Sequence, residues 1–203
     1  MNLKETLVGS FLFLVAFGLI LFILSVTTSC AHNPYIKSDM GQHARQCLLP
    51  VPVGIVEGTP EPLANAIRDA MKYWNSVDSR KYFISLGEVP WGASNPMTNG
   101  FVPVQVVPTD SLWNLGIGTC GNAQLIIKQA SGCISRAKIL IADRCTGPIE
   151  HFETIVRHEL GHVLGLKDSV DFTSLMSHAV EPTMQHPVDA NLQEKLALAA
   201  MYQ

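Results

Sequence analysis

The pentad His158-Glu159-Leu160-Gly161-His162 carries the densest chemistry in this 203-residue chain. On an α-helix, histidines four residues apart share one face, so both imidazoles can reach a single metal ion. Neutral imidazole nitrogen is a good zinc ligand, and a catalytic zinc site takes three protein ligands and leaves one position open. Glu159 is turned by about 100° from the first histidine, near such an ion without binding it. A general base belongs there. The plainer alternative is an amphipathic helix with two incidental histidines, which chance produces in on the order of one per cent of chains this long.

The residues after the pentad sharpen the reading. Val163-Leu164-Gly165-Leu166-Lys167-Asp168 completes a run from His158 that resembles the extended zinc motif of metzincin peptidases, closest in wording to the matrixin branch. The resemblance implies that Gly165 lets the chain leave the helix and bring a third ligand back to the metal. Glycine takes the left-handed turn this requires with little cost. The usual third ligand is histidine; here the position is Asp168, as in the snapalysin-like minority, and His-His-carboxylate sites do support peptidase chemistry. An anionic ligand weakens the ion as a Lewis acid, so the rate optimum should lie at higher pH than in an Asp168→His variant. A solvated loop carboxylate is the bland reading of Asp168.

Further along, Ser174-Leu175-Met176 resembles the methionine turn that floors the metal site in this family, a hydrophobic support and not a ligand. His178 stands where some branches carry a tyrosine. It is open between extra ligand, donor to an oxyanion and surface histidine. The run Ala123 to Ile127 lies where the family has an edge strand that binds extended peptide. The last helix, with Leu192, Leu196 and Tyr202, resembles the one that closes matrixin catalytic domains. The likeness is sharp over residues 149–178 and loose over 51–203.

Elements able to hold these groups are legible from periodicity. Val51–Val56 is β-rich, and Pro60-Glu61-Pro62 opens a helix whose Leu63, Ala66, Ile67, Ala70, Met71 and Trp74 recur at helical spacing to about Val77. Tyr82–Leu86 and Phe101–Val107 read as strands, the second placed at an edge or broken by Pro103. Ala123–Ile127 and Ala137–Ile141 read as neighbours joined by a hairpin or a slightly longer connection. Phe152, Ile155, Val156, Val163 and Leu164 form the stripe of the helix bearing the pentad, with Pro148 at its start and a stop at Gly165. Leu192, Leu196, Ala199 and Ala200 mark one face of a terminal helix over Ala190 to Tyr202. His151 shares the face of His158 but lies about 10 Å along the helix, too far to bind the same ion. His32, His43 and His186 fall in expected loops.

The N-terminal residues are of another kind. Leu7 to Val26 is almost wholly apolar, longer than the apolar region of a secretory signal and long enough to span a bilayer. Thr27-Thr28-Ser29-Cys30 resembles a bacterial lipobox, with Thr27 where leucine is usual. Residues 1–30 therefore read as a lipoprotein leader, a membrane anchor or a cleaved signal, and 31–50 as a tether to a catalytic domain over 51–203. All three options place the domain outside the cytoplasm. Setting Cys30 aside leaves Cys47, Cys120, Cys133 and Cys145, enough for two disulfides. Cys120 with Cys133 and Cys47 with Cys145 is the expected pairing; a zinc-masking role for Cys47, like that of matrixin pro-segments, is the rival. A net charge of -3 with 15% charged residues offers no basic face for nucleic acid.

These readings converge on an α+β, metzincin-like zincin domain: a mixed twisted sheet, an active-site helix, a methionine turn and a C-terminal helix. The resemblance implies a zinc endopeptidase acting on peptide or protein, expected as a monomer, and the N-terminal residues imply attachment to the cell envelope or secretion. His158, His162 and Asp168 would bind one Zn2+, and Glu159 would be the base. Two rivals have the same residues: a non-catalytic metal-binding envelope protein, and a zinc amidase acting on a non-peptide cell-wall amide.

Overall fold

The structure, a computed structural model, describes residues 34–90, 100–115, 119–178 and 186–203. The expected leader lies outside the described residues. Among those described, no helix is long and apolar enough to cross a membrane.

Strand β1 (Val51–Val56) leads into helix α1 (Glu61–Ser76) and returns as β2 (Phe83–Val89), parallel to β1. Strand β3 (Val102–Val107) lies on the other side of β1, also parallel. Strands β4 (Gly121–Ile127) and β5 (Ile134–Ala142) form an antiparallel pair, and β5 lies parallel to β3. The order is β2-β1-β3-β5-β4, a five-stranded mixed sheet with β4 at one edge.

Pro103 does not put β3 at an edge, as expected, because β3 is the middle strand. Its pairing with β5 begins only at Val104, opposite Ile139, so the missing N–H of Pro103 removes no bond from that ladder.

Helix α1 buries Leu63, Ala66, Ile67, Ala70, Met71 and Trp74, the face its spacing predicts. It packs on helix α2 (Ile149–Val163), and Trp74 Nε1 donates to Arg157 O at 2.9 Å. Burying an indole is cheap only when its N–H finds such a partner. Helix α2 in turn packs across β4 and β5. Helix α3 (Leu192–Met201) opens with a capping box: Asn191 accepts from Glu194 N, and Glu194 Oε2 accepts from Asn191 N.

Two expectations fail here. Residues 34–50 are no free tether: Tyr35 bridges Leu166, Arg45 bridges Cys133, and Ala44 is fully buried. Polar composition hid this, because the segment is held by backbone hydrogen bonds that any side chain permits. The disulfides are Cys47–Cys133 and Cys120–Cys145. Cys120 precedes β4 and Cys133 follows it, so the strand holds them roughly 20 Å apart at 3.3 Å per residue. The antiparallel return along β5 instead brings Cys145 to Cys120, and the Arg45 bridge brings Cys47 to Cys133.

Candidate metal centre and cleft

Helix α2 presents His151, Ile155, His158, Glu159 and His162 to one cleft of about 750 Å³, closed on the other side by β4. It ends in a Schellman motif: Leu166 N bonds Gly161 O at 3.0 Å and Gly165 N bonds His162 O at 2.9 Å. Gly165 has φ 101°, a value that L side chains rarely adopt, and its Cα abuts Ala44 O. The turn sends the chain back along the cleft, and Ser169 N bonds Met176 O at 2.6 Å to hold the returning loop.

The loop delivers Asp168. Its Oδ1 lies 3.3 Å from His158 Nε2 and 3.3 Å from His162 Nε2. One ligand atom from each of the three residues falls within 4.8 Å of the others. Ligands about 2.0–2.1 Å from a tetrahedral zinc stand about 3.3–3.4 Å apart, so the two Asp168 separations have the size of a tetrahedron edge. The ring tautomers agree. His158 Nδ1 lies 3.0 Å from Leu175 O and His162 Nδ1 2.9 Å from Leu166 O. A carbonyl only accepts, so each Nδ1 carries hydrogen, and a neutral ring then keeps its lone pair on Nε2, toward Asp168. Two nitrogens and a carboxylate oxygen, with outer partners in place, fit a zinc ion.

Protonation is coupled across the cluster. In the protonated form, which also donates from Nε2, the His158 and His162 rings hold the Asp168 carboxyl well below the usual carboxylate range, against some burial. Burial depresses His162, but its hydrogen bond to Asp168 and the Glu159 charge outweigh that and leave it raised. Burial pushes the Glu159 carboxyl up, offset partly by the two histidines and by the Ala123 N–H that donates to it.

Behind the His-His-Asp cluster, Met176 is 1% exposed and its sulfur lies against Gly161. A Cβ on Gly161 would strike that sulfur and crowd Trp74. The turn carrying Met176 is clamped by Glu194, whose Oε1 accepts from Ser174 Oγ at 2.5 Å and from Met176 N at 2.8 Å. Sequence reasoning missed Glu194, a buried acid in an expected surface position; its only signal was the Asn191/Glu194 capping spacing. His178 lies at the cleft, Nδ1 3.4 Å from Ser169 O, outside the three-residue cluster.

Fold and site thus define a mixed α/β domain in which a helix, a returning loop and an edge strand enclose a His-His-Asp cluster and a buried glutamate. No family model and no curated protein matches the chain. Among solved structures it is similar to high choriolytic enzyme 1, a hatching enzyme zinc-protease from Oryzias latipes (medaka fish). Identity is 14%, the match covers 86% of this chain and 98% of that one, and the TM-score is 0.40. So distant a likeness carries no argument, and the chemistry has to be read from the residues of the site.

Proposed function

We propose that this protein is a zinc-dependent endopeptidase of the metzincin kind. The observation that carries the reading is the convergence of His158, His162 and Asp168 on one point beside buried Glu159. When bound there, zinc would polarise a scissile carbonyl and acidify a water molecule. Glu159 takes the proton of the attacking water on its carboxylate and passes it to the leaving amine. Burial raises its proton affinity toward the range that both halves of this task need, and the Ala123 N–H aims the carboxylate. Edge strand β4 borders the cleft, so a peptide laid along it would gain main-chain hydrogen bonds and present one bond to the centre. Asp168 acts as the anionic third ligand, and His178 at the rim is the candidate donor to the oxyanion. Two disulfides support an oxidising location, in the cell envelope or outside it.

The test is metal content together with hydrolysis of a mixed peptide library, for the parent and Glu159→Gln. One zinc in each, with cleavage by the parent alone, is the expected result. Zinc in both without cleavage would move the assignment to a non-peptide amide or a metal-binding envelope protein. No metal in either would overturn the reading.

A further inference from the structure

The Glu159 side chain crosses from α2 to β4 and ends against Gly121, where a Cβ would overlap Oε1. The Ala123 N–H donates to the same carboxylate. The place of the carboxylate is therefore set by the place of the first residues of β4. That end of the strand is the one most able to open. β4 is the edge strand, and Gly121 opposite Ile141 is the last registered pair of its ladder with β5. Ends of such ladders open locally at lower free energy than the centre of a sheet. Just beyond that pair, Cys120 O accepts from Ala142 N at 2.8 Å, and Cys120 is bonded to Cys145 with the two Cα atoms 5.6 Å apart. Cys145 is 6% exposed and closes the short helical turn Asp143–Cys145 that leads from β5 to α2. The covalent bond thus fastens the ladder one residue from Gly121, at the wall of the cleft that Cys120 lines. Cys47–Cys133 stands at the other end of the ladder, where Ile127 pairs with Ile134.

We infer that the Cys120–Cys145 disulfide is a positioning device for Glu159: by holding the first residues of β4 at the cleft, it holds the carboxylate where the proton is taken. The inference rests on the peptidase reading, in which Glu159 is the base, but can fail separately from it. A bond that served the fold alone would change the rate in step with stability. Cys47–Cys133 closes 86 residues and Cys120–Cys145 closes 25, so the first is the larger contributor to stability. The two roles therefore predict opposite orders of rate loss.

The test compares kcat, KM and zinc content of the full chain with those of Cys120→Ala/Cys145→Ala and Cys47→Ala/Cys133→Ala, on one peptide and at a temperature where all are folded. Loss of Cys120–Cys145 should lower kcat about tenfold at little changed KM and parental zinc, since small misplacements of a reacting group suffice for that. Loss of Cys47–Cys133 should leave kcat near the parental value. A rate loss that follows the stability order overturns the inference. Gly121→Ala gives a second reading. It should cost about a hundredfold in the parent but only about tenfold without Cys120–Cys145, where β4 can yield to the added Cβ. Equal costs in the two backgrounds overturn the inference. Should the alanine pair not fold, Cys120→Ser/Cys145→Ser takes its place. Failure of both pairs to fold, with Cys47→Ala/Cys133→Ala folded, would make the bond a requirement of the fold and overturn the positioning role. Exchange of the Ala123 amide hydrogen is read in the same proteins without substrate. It should quicken about tenfold when Cys120–Cys145 is removed and stay parental when Cys47–Cys133 is removed. Absence of cleavage by the parent overturns the peptidase, and exchange at Ala123 then decides alone whether the disulfide holds β4 against Glu159.

Discussion

Gly121 on β4 lies directly against the Glu159 carboxylate on α2, so near that a Cβ at this position would overlap Oε1. Two residues on, the Ala123 N–H donates to the same carboxylate. The edge strand therefore has two tasks, bordering the cleft and placing the Glu159 carboxylate.

Replacing Gly121 by alanine should push Glu159 aside without touching His158, His162 or Asp168. Displacements of about 1 Å can cost on the order of a hundredfold in rate. Gly121→Ala should thus lose about a hundredfold in kcat while zinc content stays at the parental level. Steady-state kinetics with metal analysis checks this, and parental kcat would show that Glu159 has room to move.

Glu194 is 5% exposed and accepts from Ser174 Oγ, Met176 N and Asn191 N. Glutamine has the same size, but its amide end would confront a donor with another donor. Glu194→Gln should lose about 2–3 kcal/mol of stability, measured by urea unfolding. Leu175, whose carbonyl orients His158, lies within the clamped turn, so zinc affinity should fall about tenfold as well, measured by competition with a chelator.

The Cys47–Cys133 link spans 86 residues and Cys120–Cys145 spans 25. Loop-closure entropy assigns about 4–5 kcal/mol to the first and about 3–4 kcal/mol to the second. Paired Cys→Ser variants should follow that order in urea midpoint. Loss of Cys47–Cys133 should also expose residues 34–50 to protease before the sheet unfolds, since it pins that segment to the β4–β5 connection. Equal resistance of this segment with and without the bridge would count against the assignment.

Tyr202 donates to Leu164 O at 2.8 Å and accepts from Gln46 N at 3.0 Å. Burial pushes its hydroxyl up to about 12, from an ordinary value of 10. The folded state thus favours the neutral phenol: the stabilisation is complete below pH 10 and is lost as pH rises from 10 to 12. A shift of this size corresponds to about 3 kcal/mol. Tyr202→Phe should be less stable than the parent by about 1–2 kcal/mol at pH 7. The gap should close between pH 10 and 12, as followed by urea midpoints across that range; a constant gap would contradict the burial argument.

Much of the fold could be read from spacing. The helices bearing Trp74 and His158, the paired β4 and β5 and the stop at Gly165 all follow from local rules of periodicity and turn chemistry. Helix α3 shows where local rules end. Its expected inner stripe included Leu192 and Leu196, yet these are 70% and 60% exposed, while Glu194, Ala197, Leu198 and Met201 face inward. Hydrophobicity around this short helix is nearly even, so its rotation is decided by the bonds of Glu194 to the Ser174–Met176 turn. Those bonds join residues about twenty positions apart, and no window of sequence contains both partners.

By itself the sequence determined that two histidines share a helix face with a glutamate between them, and that a glycine turn leads from them to Asp168. These relations are set by 3.6 residues per turn and by the conformational freedom of one residue. Only the tertiary structure decided the rest: that Asp168 closes on both rings, that Leu175 and Leu166 carbonyls fix the tautomers, that residues 34–50 are part of the domain, and which cysteines meet. The physical reason is common to all four. Each depends on a distance between segments remote in sequence, and that distance is set by how β4, β5 and α2 pack, not by the types of the residues that come together.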